Sequence, residues 1–429
     1  MEAVAIAVVL PGGGARGAYE AGALSVLLPA LEARGERIAI ACGTSVGAIN
    51  VALLASVAHL PAGEQAERVL GTWRAMRKDD VVARIVGPGL VTTALRLAGE
   101  SVGVRAFGPA SLMDARPLRA SLDRWIDWVA LRRNLRARRL EALCAVATSL
   151  EDGAPVAFVD GPPRTMPAGG AGLRYVRTRI GSEHVRASAA IPLLFPPVRV
   201  RTPRAAAGHY LDGATRLNTP LKPALALGAT RVIVVAFEPL ERAPGRAAPR
   251  RPRLTDVVAN IVDGLLVDQV VDDIHRLAAI NTFFAESPQA AVSAASRGYR
   301  AVRGREQYRR VPYALVAPAH PGRLGELAGE VLRTHTRGWR ALTDPDYAVL
   351  SLLLGRGQAS AAELLSFLLF DRDHVEALID AGREDAQRWL DRHPHLWCAD
   401  ATHDLGLPDG GEAARDDGSI EEFRLNRRR

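Results

Sequence analysis

One feature near the start of the chain limits the fold more than any other. Val4–Leu10 is apolar without polar alternation and runs directly into Pro11-Gly12-Gly13-Gly14, after which a helical pattern spans Ala15–Leu31. A strand with no polar face must be covered on both sides, as parallel strands inside an α/β sheet are. A second unit of the same kind follows: Ile38–Cys42 is apolar, a tight turn comes next, and Val46–Leu60 reads as a helix stopped by Pro61. Ala142–Thr148, Val156–Val159, Arg231–Phe237 and Tyr313–Val316 read as further strands. Strands alternating with helices predict a three-layer α/β/α domain with a mainly parallel sheet.

Composition narrows the class. The 429 residues are 48% hydrophobic and 24% charged, which excludes a disordered chain. No window approaches the roughly 18–20 apolar residues of a membrane-spanning helix. The net charge is +8, and only Lys78 and Lys222 among 55 basic residues are lysines. With aromatics at 5% and no basic stripe interleaved with them, nucleic acid is not an expected partner. A weak attraction to anionic surfaces, phospholipid included, is what this charge supports. Cys42, Cys144 and Cys398 are far apart and odd in number, so they read as core residues, not as a disulfide framework. The histidines show no metal-ligand spacing, and no metal is expected. Met1–Leu10 lacks the basic segment and cleavage site of a signal peptide. Cytoplasmic residence is the expectation, with peripheral membrane contact; export without a cleaved signal is left open.

Three regions follow from the pattern: an α/β domain over 4–238, a Pro/Arg-rich loop over 239–255, and a mainly helical extension over 256–429 that packs on and completes the first domain. Residues 84–110 are irregular and apolar, and 117–142 read as one long helix with a basic end at Arg132, Arg133, Arg136, Arg138 and Arg139. That end reads as a solvated face, with a lipid-headgroup patch as the alternative. Amphipathic helices are expected within 346–392, and a frayed polar tail at the end.

Two strand–helix turns carry chemistry. Gly43-Thr44-Ser45-Val46-Gly47 has the context of a nucleophile elbow, a turn so tight that only small residues fit two places either side of the serine. The hydroxyl then projects at a helix N-terminus, where the dipole favours negative charge. Gly12-Gly13-Gly14-Ala15-Arg16-Gly17 occupies the preceding turn, where glycines let backbone N–H groups approach an anion. A dinucleotide fingerprint has this glycine spacing but needs an acid at the end of the second strand. Glu32 and Glu36 precede that strand, which ends in the elbow instead. The glycine loop therefore reads as an oxyanion hole. Further on, Asp212-Gly213-Ala214 follows a short strand and turns there. His184, His209 and His275 are the candidate partners of a conventional triad, with His209 nearest to a strand end.

The glycine loop, the elbow with its continuation Ala48-Ile49-Asn50, and the Asp212–Ala214 turn together resemble the patatin-like phospholipase family. Ala187-Ser188-Ala189-Ala190-Ile191-Pro192-Leu193-Leu194-Phe195-Pro196-Pro197 is similar to the family's segment upstream of the aspartate. The resemblance covers roughly residues 4–238. It implies a Ser–Asp dyad without histidine, in which Ser45 attacks an acyl ester and Asp212 accepts its proton, with no cofactor. It implies phospholipase A-type hydrolysis through an acyl-serine; acyl transfer or thioester hydrolysis by the same dyad is the close alternative, and a non-catalytic lipid-binding scaffold is the distant one. An ordinary Asp titrates near 3.9, too low for a base at neutral pH, so it has to be raised by desolvation or matched to the serine by a very short hydrogen bond. Arg16 is expected to fix the loop by hydrogen bonds, with steering of a phosphate as the alternative, and Asn50 to be structural. Nicotinamide cofactors should not bind; calorimetry with NAD(P) should give no heat, and a micromolar affinity would restore the dinucleotide reading.

Overall fold

The computed structural model describes residues 4–81, 116–161, 172–192, 195–239, 277, 281, 310–335 and 359–398. Its elements in chain order are β1 (Ile6–Leu10), a 3-10 turn (Gly14–Arg16), α1 (Gly17–Glu32), β2 (Ile38–Thr44), α2 (Val46–Val57), α3 (Ala62–Ala75) and α4 (Lys78–Val81). Then come α5 (Arg116–Trp125), α6 (Trp128–Arg136), β3 (Ala142–Ser149), β4 (Pro155–Asp160), β5 (Arg174–Arg177), α7 (Ser182–Ser188), β6 (Val198–Val200) and β7 (Gly208–Asp212). The remainder is α8 (Leu221–Ala226), β8 (Arg231–Val235), β9 (Tyr313–Val316), α9 (Arg323–His335), α10 (Ala359–Leu368) and α11 (Arg372–Arg392).

The sheet runs β5-β4-β3-β2-β1-β8-β9. Every pairing from β3 through β9 is parallel, while β4, and separately β7, lie antiparallel to β3. β1, β2 and β3 are buried along their whole length, as strands without a polar face require. Cys42 and Cys144 face each other across β2 and β3 as buried free thiols.

One feature of the β3 register places the site. The edge of β3 that pairs with β2 ends at Thr44↔Val146, and the next residue, Ala147, pairs with Asp212 of β7. β2 and β7 thus share one edge of β3 and meet head to head. Ser45, which follows Thr44, and Asp212 converge at that junction.

Residues 117–142 do not form the single helix expected. They make α5 and α6, and the chain then enters β3. Asp127 starts α6 by accepting from Val129 N (2.9 Å) and Ala130 N (2.8 Å), a side-chain cap that a continuous helix has no use for. α3 went unread because Pro61 ends one helical pattern and also sits at the N-cap of the next. The segment 84–110, the loop 240–255 and the tail from 399 lie outside the described residues.

α1 is buried around most of its circumference, so something must cover its outer face. α11 does so, in backbone contact: a Cβ added to Gly22 would stand 2.1 Å from Ile379 O, and one on Gly382 2.1 Å from Tyr19 O. Tyr19 Oη also donates to Asp385 Oδ2 (2.8 Å). Gly382→Ala should therefore cost roughly 1–3 kcal/mol through overpacking. Gly71→Ala, on α3 with nothing within 4 Å of its Cβ position, should stabilise by about 1 kcal/mol. Urea titration of both variants tests the crossing; similar midpoints would mean α1 and α11 do not touch in solution.

Candidate active site

Ser45 sits between β2 and α2 with φ 54° and ψ −122°, a backbone conformation that costs a non-glycine residue about 1–3 kcal/mol. The surroundings hold it there. A Cβ on Gly43 would lie 2.3 Å from the Gly47 carbonyl, and one on Gly47 2.2 Å from Leu10 O, so the turn closes only with glycine at both places. Ser45 N–H donates to Ser188 Oγ (2.9 Å), and the Ser188 hydroxyl donates in turn to Val146 O of β3. Ser188 was not singled out by sequence reasoning as a site residue, although its segment was.

The Ser45 hydroxyl donates to Asp212 Oδ2 at 2.6 Å. Both residues are buried, at 3% and 1% exposure, so this is a hydrogen bond in a dry setting. Asp212 Oδ1 accepts from Ala214 N (2.8 Å) as Gly213 turns the chain under β3. Burial pushes the Asp212 carboxyl up to about 7, and its two hydrogen bonds only partly offset the effect. No described histidine touches the pair. His184 is buried elsewhere, against Thr202 O (2.7 Å) and the Phe158 ring, and His209 is exposed on β7. His275 lies outside the described residues.

The six loop residues expected to form the oxyanion hole are not equivalent. Gly12 N–H is spent on Asn218 Oδ1 (2.8 Å), Arg16 N–H on Gly13 O (3.1 Å), and Gly17 N–H on carbonyls of the 3-10 turn. The amides of Gly13, Gly14 and Ala15 remain without a hydrogen-bond partner among the described residues. Gly14 has φ +57° and lies against the Phe367 carbonyl, where a Cβ would stand 2.2 Å away. A side chain at Gly14 would therefore dislodge α10 and cannot serve as a clean probe of amide donation.

Arg16 points away from Ser45. Its buried guanidinium ion-pairs with Glu363, donates from Nε to Ser366 Oγ (2.7 Å) and lies 3.8 Å from the Phe367 ring centroid. It anchors the glycine loop to α10, about 350 residues later, which nothing in the sequence signals. Asn50 ties three helices, donating to Gly17 O (2.9 Å) and Glu20 Oε2 (2.7 Å) and accepting from Trp73 Nε1 (2.8 Å). Glu20 is fully buried, which pushes its carboxyl well above the usual range.

An apolar pocket opens from Ser45 and Gly14. Its walls come from Ile49 and Trp73 on one side, Leu118 and Trp125 of α5 on another, and Phe367 with Phe370 from the C-terminal helices. A chain of methylenes is the chemistry such walls accept.

A strained serine ending a central strand of an α/β/α sheet places the protein among the serine esterases of α/β type. The sequence assigns it more narrowly: the patatin-like phospholipase family model matches residues 8–225, just over half of the 429 residues, and the chain belongs to that family. It is a patatin-like esterase or phospholipase, a lipid hydrolase whose substrates are acyl esters. No curated protein matches it. Among solved structures, VipD from Legionella pneumophila is 13% identical at a TM-score of 0.35, with 91% of this chain and 67% of that one covered. The complex of SpcU with ExoU from the type III secretion system of Pseudomonas aeruginosa is 16% identical at a TM-score of 0.25, with 90% of this chain and 73% of that one covered. At those scores neither likeness bears on the fold or the site.

Asp212 links stability to pH with a defined sign. Burial pushes its carboxyl up from 3.8 to about 7, so the folded state binds this proton more tightly. The associated stability is present below about 4 and is lost as pH rises towards 7. Asp212→Asn should therefore melt higher than wild type at pH 8, and the gap should close as pH falls to 4. A gap independent of pH in differential scanning calorimetry would mean the carboxyl is not desolvated.

Proposed function

We propose that the protein hydrolyses acyl esters of lipids through an acyl-Ser45 intermediate, with Asp212 as the base. The Ser45 hydroxyl adds to the ester carbonyl while its proton passes to Asp212 Oδ2. The tetrahedral oxyanion takes hydrogen bonds from loop amides that have no partner among the described residues, those of Gly13 and Gly14 out of the three. Asp212 returns the proton to the departing alcohol, and water repeats the sequence on the acyl-enzyme.

The observation that carries this reading is the 2.6 Å bond between a buried hydroxyl and a buried carboxylate, with no histidine among the described residues near either. A base works best when its pKa lies near the working pH, and Asp212 is pushed up to about 7. The apolar walls beside Ser45 suit the acyl chain and exclude water from the carboxylate.

A fluorophosphonate probe should label Ser45 in the wild type and leave Ser45→Ala unlabelled. Asp212→Asn should retain the fold and lose about 100-fold or more in kcat, the scale expected for removing a general base. His209→Ala should stay within a few-fold of wild type. Because the base must be ionised, kcat/KM should rise with pH to a midpoint near 7 and then level off. Labelling at another serine, or loss in His209→Ala equal to that in Ser45→Ala, would sink the dyad.

A further inference from the structure

A second cavity, of about 530 Å³, is bordered by α5, α6 and α7, and six arginines line it: Arg119, Arg132, Arg179, Arg186, Arg199 and Arg201. Glu183 is its one acidic lining residue. That carboxylate is occupied, accepting from Thr202 Oγ1 (2.6 Å) and from the amides of Arg201 and Thr202 (3.3 Å each). Of the arginines, Arg132 is neutralised by Asp160 (2.7 Å) and also donates to Ile180 O (2.8 Å). The other five form no ion pair among the described residues. Arg186 is half-buried, and burial together with the charge of Arg119 pulls its guanidinium below the usual value, with Asp123 offsetting part of this.

Five guanidinium groups without an ion pair among the described residues repel one another around one concavity, and a polyanion entering it would relieve the repulsion. Guanidinium forks match phosphate oxygens in pairs, which a smeared surface charge does not. The cavity also shares walls with the apolar pocket. On α5, Leu118 lines the pocket and the adjacent Arg119 lines the cavity. On α7, Arg186 borders the cavity while Ser188 holds the Ser45 amide. We propose that this cavity is a binding site for a headgroup carrying two or more phosphates, either on a membrane lipid or free in solution, and distinct from the Ser45 pocket. The proposal does not depend on the reaction Ser45 performs. It moves the cationic face away from the helix end at Arg132–Arg139, where Arg132 is already paired.

The test uses full-length protein and reads binding alone. Phosphatidylcholine vesicles containing phosphatidylinositol bisphosphate are compared in flotation, at about 0.15 M salt, with vesicles brought to the same surface charge by phosphatidylserine. Soluble inositol trisphosphate is titrated separately by calorimetry. The bisphosphate vesicles should bind at least about tenfold more tightly. The exposed-arginine variant Arg119→Gln/Arg199→Gln/Arg201→Gln should lose that preference with a melting temperature no lower than that of the wild type. Arg133→Gln/Arg136→Gln, on α6 but outside the cavity, should keep it. Binding of the trisphosphate without vesicle recruitment supports the same site with a free ligand; recruitment by the bisphosphate vesicles assigns it to a lipid. Equal binding to both vesicle types, survival of the preference in the triple variant, or displacement by an RNA oligonucleotide at lower concentration than by the trisphosphate overturns the proposal.

Discussion

Much of this molecule turns on how β3 divides one of its edges between two strands. β2 uses the edge as far as Val146 and β7 takes it over at Ala147, so two segments more than 160 residues apart end within a hydrogen bond of each other. Sheet register is stiff, because a slip by one residue would turn a strand's buried face outward. The Ser45–Asp212 distance is therefore set by the ladder and not by flexible loops. Ser188 reinforces the same junction, since its hydroxyl links Val146 O at the end of the β2 pairing to the Ser45 amide. The strained backbone at Ser45 persists because three independent constraints meet on it: the ladder, the Ser188 bond, and the glycines that let Leu10 and Gly47 touch.

What the sequence made visible was local. The elbow, the glycine loop and the Asp-Gly turn each depend on a few adjacent residues whose dihedral or steric demands are specific to glycine or serine. The unbroken apolar strands identified a buried parallel sheet, and Tyr313–Val316 joined it as expected. What stayed hidden was everything that needs the fold to exist. Asn218 reaches back to Gly12, Glu363 and Ser366 hold Arg16, and Asn50 links Gly17, Glu20 and Trp73. Asn218, Glu363 and Ser366 stand in no motif, and Asn50, which does, shows nothing of its partners there. Each was chosen by a donor or acceptor left over in the core, and sequence spacing carries no trace of that. The basic cavity was invisible for the same reason, because its arginines come from α5, α6, α7, β6 and the segments that follow β5 and β6. The arginine run that stood out, at the end of α6, is conspicuous only because it is contiguous.

The C-terminal helices belong to the same structural problem. A guanidinium at zero exposure is expensive unless it is paired, and Arg16 finds its partners only on α10. The Phe367 ring lies against that guanidinium while the Phe367 carbonyl lies against Gly14. α11 meanwhile covers the face of α1 that would otherwise lie bare. The glycine loop is thus held from two directions, by Asn218 at Gly12 and by α10 at Gly14 and Arg16. An amide aimed at a developing charge is useful only if it need not reorient when that charge appears. Fixing both ends of the loop supplies that rigidity.

Among the described residues no imidazole contacts Ser45, and the proposed dyad follows the same economy. In a triad, histidine is a near-neutral base by its own chemistry, and the carboxylate only orients it. With a carboxylate alone, the environment has to do what the imidazole ring does. Among the described residues the Asp212 carboxylate has two hydrogen bonds, one from Ala214 and one from Ser45 itself, and it is almost fully buried. A third donor would stabilise the ionised form and draw the carboxyl back towards the ordinary range, making it a weaker base. An open solvent path would have the same effect. The dryness that makes Asp212 basic also makes it a burden on the fold once ionised, so basicity here and stability at alkaline pH are opposed. On the proposed reading, the wall of apolar residues around Ser45 has two consequences that cannot be separated: it would accept a hydrocarbon chain, and it would keep the carboxylate out of water.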